Sequence, residues 1–202
     1  MPQSPLPPSN VRIDRAMPMD AGDGVRLLAT VYRPMDDSPC PVFLMRTPYG
    51  KDLSPAIHVI DPEKAVDQGF MVVVQDVRGR HGSGGNWNPY VSEAEDGARA
   101  VEWAAKLPGA DGRVCLYGSS YQGAAAIAAA SLRPPSLCAS APMLCWGDAA
   151  CGQTFRGGAL EIGKLVRWTL MNMGDRLARR IADPVEAERM IAQCAADLAA
   201  LG

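Results

Sequence analysis

The run Phe70-Met71-Val72-Val73-Val74-Gln75 is rich in β-branched residues, with no polar residue alternating among them. A strand with one face in water alternates apolar and polar side chains, so this run predicts a strand covered on both faces. Such strands belong to parallel sheets, whose successive strands need a crossover, usually a helix. The flanking sequence supplies both. Pro41–Arg46 is a second short apolar run, and Pro55–Gln68, ending at Gly69, predicts a helix between the two. Ser92–Leu107 sets Ala94, Ala98, Val101, Trp103 and Ala104 near helical spacing. Glu93, Glu95 and Asp96 fall in its first turn, where the helix dipole favours carboxylates. Arg113–Tyr117 reads as a strand, Tyr121–Leu132 as an alanine-rich helix and Leu137–Pro142 as a strand. Ahead of them lie two strand-like runs, Val11–Pro18 and Val25–Pro34. Met19–Gly24 joins them, and its Asp23-Gly24 pair suits a hairpin turn. The expected class is α/β: an N-terminal β-hairpin, then β-α-β-α-β-α-β in a mostly parallel sheet with helices on both faces.

The texture changes at Trp146. Residues 1–10 are Pro/Ser-rich and expected to be loose, 11–145 form the α/β part, and 146–202 form a tail. The tail is expected to be all helix: Ala159–Met173, Asp175–Ile181, then Asp183–Leu201 opened by Asp183 as N-cap, Pro184 at N1 and Glu186 at N3.

Composition narrows the function. A chain of 202 residues with net charge −2 presents no field for a phosphate backbone, so no nucleic-acid partner is expected. No apolar stretch approaches the roughly 20 residues of a membrane span. MPQSPLPPSN shows neither a basic n-region nor an apolar h-region. The six cysteines show no C-x-x-C spacing and mostly sit in apolar surroundings, where a thiol acts as a small buried hydrophobe. No metal site is expected, and reduced thiols without a signal point to the cytoplasm.

The chemistry concentrates in Arg113-Val114-Cys115-Leu116-Tyr117-Gly118-Ser119-Ser120-Tyr121-Gln122-Gly123. Here a serine sits in a sharp turn from strand to helix, the layout of a nucleophile elbow. Gly118, two residues before Ser120, meets the demand for small neighbours. Gln122 stands where the general G-x-S-x-G pattern has its second glycine, and Gly123 follows. The competing reading is a Ser-rich turn in which Ser119 or Ser120 caps the helix.

Further segments bear on the choice. They are Arg46-Thr47-Pro48-Tyr49-Gly50-Lys51, Gln75-Asp76-Val77-Arg78-Gly79-Arg80 with Gly82-Ser83-Gly84-Gly85, and the opening Asp23-Gly24-Val25-Arg26-Leu27. In this order, with Gly118-x-Ser120-Tyr121-x-Gly123, they resemble the family of cocaine esterase, α-amino acid ester hydrolases and X-Pro dipeptidyl-peptidases. The resemblance spans roughly residues 11–170. It implies a serine hydrolase acting through an acyl-enzyme on small ester or amide substrates or X-Pro peptides, with no cofactor. Ser120 matches the nucleophile, the backbone N–H of Tyr121 one oxyanion donor and the Tyr49 hydroxyl the other. On sequence alone the favoured reading of Tyr49 is a loop tyrosine packed beside Pro48. Asp76, Arg78 and Gly79 read as loop braces, and Gly82–Gly85 lacks the Gly-Lys-Ser/Thr ending of a phosphate loop.

The pattern then departs from the family. In α/β-hydrolases the acid and the histidine follow the serine. Here the only histidines, His58 and His81, precede Ser120, and Asp148, Asp175, Asp183 and Asp197 lie in the tail. His81, after a strand end, is the better candidate for a substitute base and His58, in a helix-like segment, the weaker; the plain alternative for His81 is a solvated loop histidine. The expectation is the front part of an α/β-hydrolase sheet followed by part of a helical cap, without the later strands or the family's C-terminal β-sandwich. Its function is then acyl transfer with the acid and base wanting, or that of a non-catalytic chain that only folds or binds, or needs a complementing chain. Leu137–Pro142 is expected as an edge strand through which copies could self-associate.

Overall fold

The computed structural model describes residues 10–53, 59–148 and 151–200. The chain divides into two compact units, one ending at Cys145 and the other beginning at Trp146.

The first unit holds β1 (Val11–Asp20), β2 (Arg26–Pro34), β3 (Cys40–Thr47), α1 (Pro62–Asp67), β4 (Met71–Asp76), α2 (Glu93–Ala104), β5 (Ala110–Ser119), α3 (Tyr121–Ser131) and β6 (Leu137–Met143). The strands form one sheet in the order β1-β2-β4-β3-β5-β6. The hairpin β1–β2 and the β2–β4 pair are antiparallel, and β4–β3, β3–β5 and β5–β6 are parallel. This is the expected mixed, mostly parallel sheet. Helix α1 is shorter than the predicted Pro55–Gln68; part of that span, with His58 and nearly all of the N-terminal segment expected to be loose, lies outside the described residues.

Burial explains why β4 lacks alternation. Met71, Val72, Val73 and Val74 are all 0% exposed. Met71 and Val73 pack with Ala100, Val101, Ala104, Ala126 and Ala129 of α2 and α3, while Val72 and Val74 pack with Ala65 and Val66 of α1. Gly97 lets α2 and α3 meet closely, since a Cβ there would lie 2.5 Å from the Ala129 Cβ. Strand β6 is different: from Cys138 to Met143 every residue is exposed, and β6 ends the sheet. The cysteines follow this division. Only Cys40 is buried, and Cys138 and Cys151 are exposed, so the expectation of mostly buried thiols fails where a strand or turn is left uncovered.

The second unit corrects the tail prediction twice. It opens with a small hairpin, β7 (Phe155–Arg156) and β8 (Ala159–Leu160). Gly157 and Gly158 turn it, both at positive φ (57° and 84°), as a type I′ turn requires. Then one helix, α4 (Ile162–Arg180), replaces the two expected around Gly174. An interior glycine costs a helix only about 1 kcal/mol against alanine. The final helix is α5 (Pro184–Ala200), and a Cβ at Gly174 would lie 4.0 Å from its Ile191, at ordinary contact distance. Asp183 caps α5 as expected, accepting from the Val185 N–H at 3.0 Å. Among the described residues no helix is long and apolar enough to cross a membrane.

Candidate active site

Because β3, β4 and β5 run parallel, the segments after Thr47, Asp76 and Ser119 emerge at the same edge of the sheet. This carboxyl edge is where open α/β sheets bind ligands. Ser120 stands between β5 and α3 with φ 57° and ψ −119°. A non-glycine residue is held there only when its surroundings impose the strain. The restraints are its own N–H, donated to the Met143 carbonyl at 2.9 Å, and its carbonyl, which accepts from the Ala124 N–H at 2.9 Å. Its side chain makes no capping bond, although Ser120 occupies the N-cap position. The residue is exposed. The helix-cap reading of Ser120 therefore has no support in the geometry.

The displaced glycine is explained as well. A Cβ on Gly118 would lie 2.5 Å from that of Gln122, and one on Gly123 would lie 2.9 Å from the Gly118 carbonyl oxygen and 3.0 Å from the Cys145 Sγ. Gly118 and Gly123 are thus the two close approaches of this elbow. Gln122 between them is buried and used: its amide donates to Thr47 Oγ1 at 3.1 Å and its oxygen accepts from the Ser119 N–H at 3.4 Å. Thr47 Oγ1 also accepts from the Tyr49 N–H at 3.1 Å. Gln122 thereby ties this turn to the loop bearing Tyr49, a role invisible to sequence reading.

Tyr49 is half-buried, and its ring meets that of Tyr121 edge-on with centroids 6.5 Å apart. Tyr49 therefore lies beside the side chain of Tyr121, the residue that follows Ser120. Tyr121 opens α3, where the first N–H groups of a helix have no intrahelical acceptor. Its side chain is buried. The phenol donates to Glu93 Oε1 at 2.8 Å and accepts from Trp87 Nε1 at 3.3 Å and the Tyr90 N–H at 3.2 Å. Burial first, and then the Glu93 carboxylate, push its pKa well up, so it stays a neutral donor.

Beneath the elbow runs a line of charges that the sequence reading missed. Arg46 Nη1 donates to Glu93 Oε2 at 2.6 Å and to the Glu93 carbonyl at 3.1 Å, and Arg46 Nε donates to Gln75 Oε1 at 3.0 Å. Asp96, one turn after Glu93, lies 3.9 Å from Arg46 Nη2 and takes two bonds from Arg78, at 2.8 and 2.6 Å. Arg78 reaches on to Asp23 in the hairpin turn at 2.7 Å. The i,i+3 spacing of Glu93 and Asp96 was the available signal, since it puts both on one helix face.

The strand-end residues act as braces. Asp76 accepts from the Lys51 N–H at 2.6 Å and the Gly82 N–H at 3.0 Å. Burial pushes its carboxyl pKa up despite these bonds and the nearby His81. Gly79 is required because a Cβ would fall 2.0 Å from the Trp87 nitrogen. His81 is half-buried rather than solvated, at φ 43°, against the Gly50 turn. In the second unit Asp175 faces Arg179 at 3.3 Å, Asp183 caps α5 and Asp197 accepts from Gln193 at 2.8 Å. No cluster of three or more metal-ligating side chains lies among the described residues.

A mixed, mostly parallel sheet with a strained serine at the carboxyl end of β5 defines an α/β-hydrolase fold. Residues 23–201 match the X-Pro dipeptidyl-peptidase (S15) family, and the chain belongs to it. It is 34% identical over 169 residues to cocaine esterase from Rhodococcus sp. (strain MB1 Bresler), a match covering 82% of this chain and 29% of that protein. A CocE/NonD family hydrolase from Staphylococcus aureus superposes with TM-score 0.77 at 26% identity, over 88% of this chain and 36% of that one. An α-amino acid ester hydrolase shares the fold at TM-score 0.67 and 24% identity, over 87% of this chain and 32% of that one. The chain thus spans about a third of the length of these relatives.

Proposed function

We propose that this chain carries the acyl-forming site of a serine hydrolase acting on small esters, amides or X-Pro peptide bonds. Ser120 Oγ attacks the substrate carbonyl carbon, its proton passes to a base, and the carbonyl oxygen becomes the oxyanion. The Tyr121 N–H and the Tyr49 hydroxyl donate to that oxyanion as charge develops, where fixed donors count most. Collapse breaks the bond to the alcohol or amine, which departs with the proton held by the base, and leaves the acyl group on Ser120 for water to remove. The observation that carries this reading is the strained backbone of an exposed Ser120 whose side chain caps nothing. Family membership supports the reaction class.

A second reading is favoured by the position of the histidines. His58 and His81 both precede Ser120, so the chain folds and binds, and turns over only when another segment or chain supplies the base.

A fluorophosphonate probe with intact-mass detection tests the site. The chain should be labelled once, slowly, and Ser120→Ala should abolish labelling. Tyr49→Phe should slow it by ~10²–10³-fold, the usual effect of losing an oxyanion donor. Labelling that survives Ser120→Ala would remove Ser120 from the mechanism. Turnover of p-nitrophenyl acetate by the chain alone, at ~1 s⁻¹ or above, would instead dismiss the second reading.

A further inference from the structure

We infer that Glu93, clamped by Arg46, is a positioning residue that holds the Tyr121 peptide in its oxyanion-donating orientation through the Tyr121 phenol. This rests on the reading of Ser120 and Tyr121 given above.

The elbow has a design problem. Its serine hydroxyl must stay uncommitted, so it cannot help to hold the turn, and Ser120 is in a strained conformation that pulls towards relaxation. The peptide after it therefore needs an anchor elsewhere, and the Tyr121 side chain is built as one. A phenol oxygen has one proton to give and two lone pairs to receive. Here it gives to Glu93 and receives from Trp87 and the Tyr90 N–H, so its hydrogen-bonding capacity is used in full. The ring is stacked on Tyr90, with centroids 4.4 Å apart. Tilting the Tyr121 peptide would move this ring and strain those bonds in a buried place, where water cannot replace them.

Glu93 is the fixed point of the set. One carboxylate oxygen serves Tyr121 and the other serves Arg46, which also grips the Glu93 carbonyl and Gln75. Both members of the pair are 2–3% exposed. Buried ion pairs can often be replaced by apolar side chains with no loss of stability, so stability alone does not call for charge here. A carboxylate held at a fixed point beneath the helix start does something an apolar residue cannot: it gives the phenol a directional partner. The line continues through Asp96 and Arg78 to Asp23, extending the anchorage to the N-terminal hairpin.

The test measures the second-order rate of fluorophosphonate capture at Ser120 in the full chain, together with the thermal midpoint and the Tyr121 amide resonance in a ¹H–¹⁵N spectrum. Tyr121→Phe removes one oxygen and keeps the Glu93–Arg46 pair. Glu93→Gln leaves a single acceptor oxygen for Tyr121 and Arg46 to compete for, and Tyr121→Phe carries the test if Glu93→Gln does not fold. Each should slow capture by ~10–10²-fold, the scale of a small misplacement in a catalytic site, and each should shift the Tyr121 amide resonance. The double variant should be no slower than the slower single, because both act through one link. Leu107→Ala, a core truncation in the loop after α2, should lower the thermal midpoint and leave the capture rate unchanged. Rates within twofold of the parent in both link variants would overturn the inference while leaving Ser120 in place, as would an equal slowing by Leu107→Ala. Failure of the parent chain to label at Ser120 would overturn both the reading and the inference.

Discussion

Arg46–Glu93 in the first unit and Arg189–Glu186 in the second are the same two residue types at nearly the same separation, 2.6 and 2.8 Å. In the first the side chains are 2% and 3% exposed; in the second they are 64% and 43% exposed. The buried pair has lost its water and depends on its partners, whereas the exposed pair exchanges protein contacts for solvent at little cost. The two units differ in the same way throughout. The first is a sheet covered on both faces along its central strands, where each side chain is held by several others. The second is a small hairpin and two helices in which Asn172, Leu177 and Ala187 are the buried helix residues. Identical local chemistry therefore carries different weight according to what lies above it.

The largest contrast should come from the pairs themselves. Arg46→Ala leaves the Glu93 carboxylate buried and uncompensated and should cost about 3–5 kcal/mol in denaturant unfolding. A cost below about 1 kcal/mol would mean that the site hydrates readily and that the two pairs are alike after all.

Glycines sharpen the comparison next. Gly123→Ala forces a Cβ against two backbone oxygens and the Cys145 sulfur, and overpacking of this kind costs about 1–3 kcal/mol. Gly163, in the first turn of α4, has nothing within 4 Å of its would-be Cβ. Gly163→Ala should therefore stabilise the second unit, by up to about 1 kcal/mol. Equal shifts in the thermal midpoint for the two variants would break the distinction.

Acid should act more gently, and with opposite signs at two carboxylates of the first unit. Asp14 is pushed up by burial, but bonds from Arg33 and then Arg12 outweigh this and hold it below the usual carboxylate range. A carboxylate lowered in this way contributes stability above its unfolded value of about 3.9, and the contribution is lost as pH falls through the folded value. Asp76 has the opposite sign. Burial raises its pKa, so its charge costs stability at neutral pH and the cost is relieved as acid protonates it. Asp14→Asn should lower stability by about 1 kcal/mol at pH 7, and the gap to the parent should close below about pH 4. A gap that persists at pH 2 would assign the effect to packing.

The smallest effect is expected on the exposed pair. Arg189→Ala should shift the thermal midpoint least of all these variants and, if at all, only at low salt. A larger loss would mean that α5 is covered more than its exposure suggests.

Much of the first unit was legible in sequence because covering a strand on both faces writes itself as an unbroken apolar run, as in Met71–Val74. The sharp turn at Ser120 was legible too, since a strand, a small residue, a serine and a helix in succession leave few alternatives. The break at Gly174 was read wrongly for a physical reason. A glycine lowers helix propensity by only about 1 kcal/mol, which the rest of a 19-residue helix absorbs. The β7–β8 hairpin was missed because two-residue strands carry no periodicity to detect.

The acids at the start of α2 mark the boundary between the two kinds of knowledge. Sequence determined that Glu93, Glu95 and Asp96 lie in the first turn of a helix, where the dipole favours any carboxylate. It also determined that a serine stands at a turn between strand and helix. Tertiary structure alone decided that Glu93 and Asp96 turn inward, to Tyr121, Arg46 and Arg78, while Glu95 stays exposed. It likewise decided that Gln122 joins the elbow to the Tyr49 loop rather than spoiling the motif. The reason is range. Helix dipoles, caps and turns act over a few residues and leave a local signature. The partners of Glu93 lie 28 and 47 positions away in the chain, and only the packed sheet brings them within bonding distance.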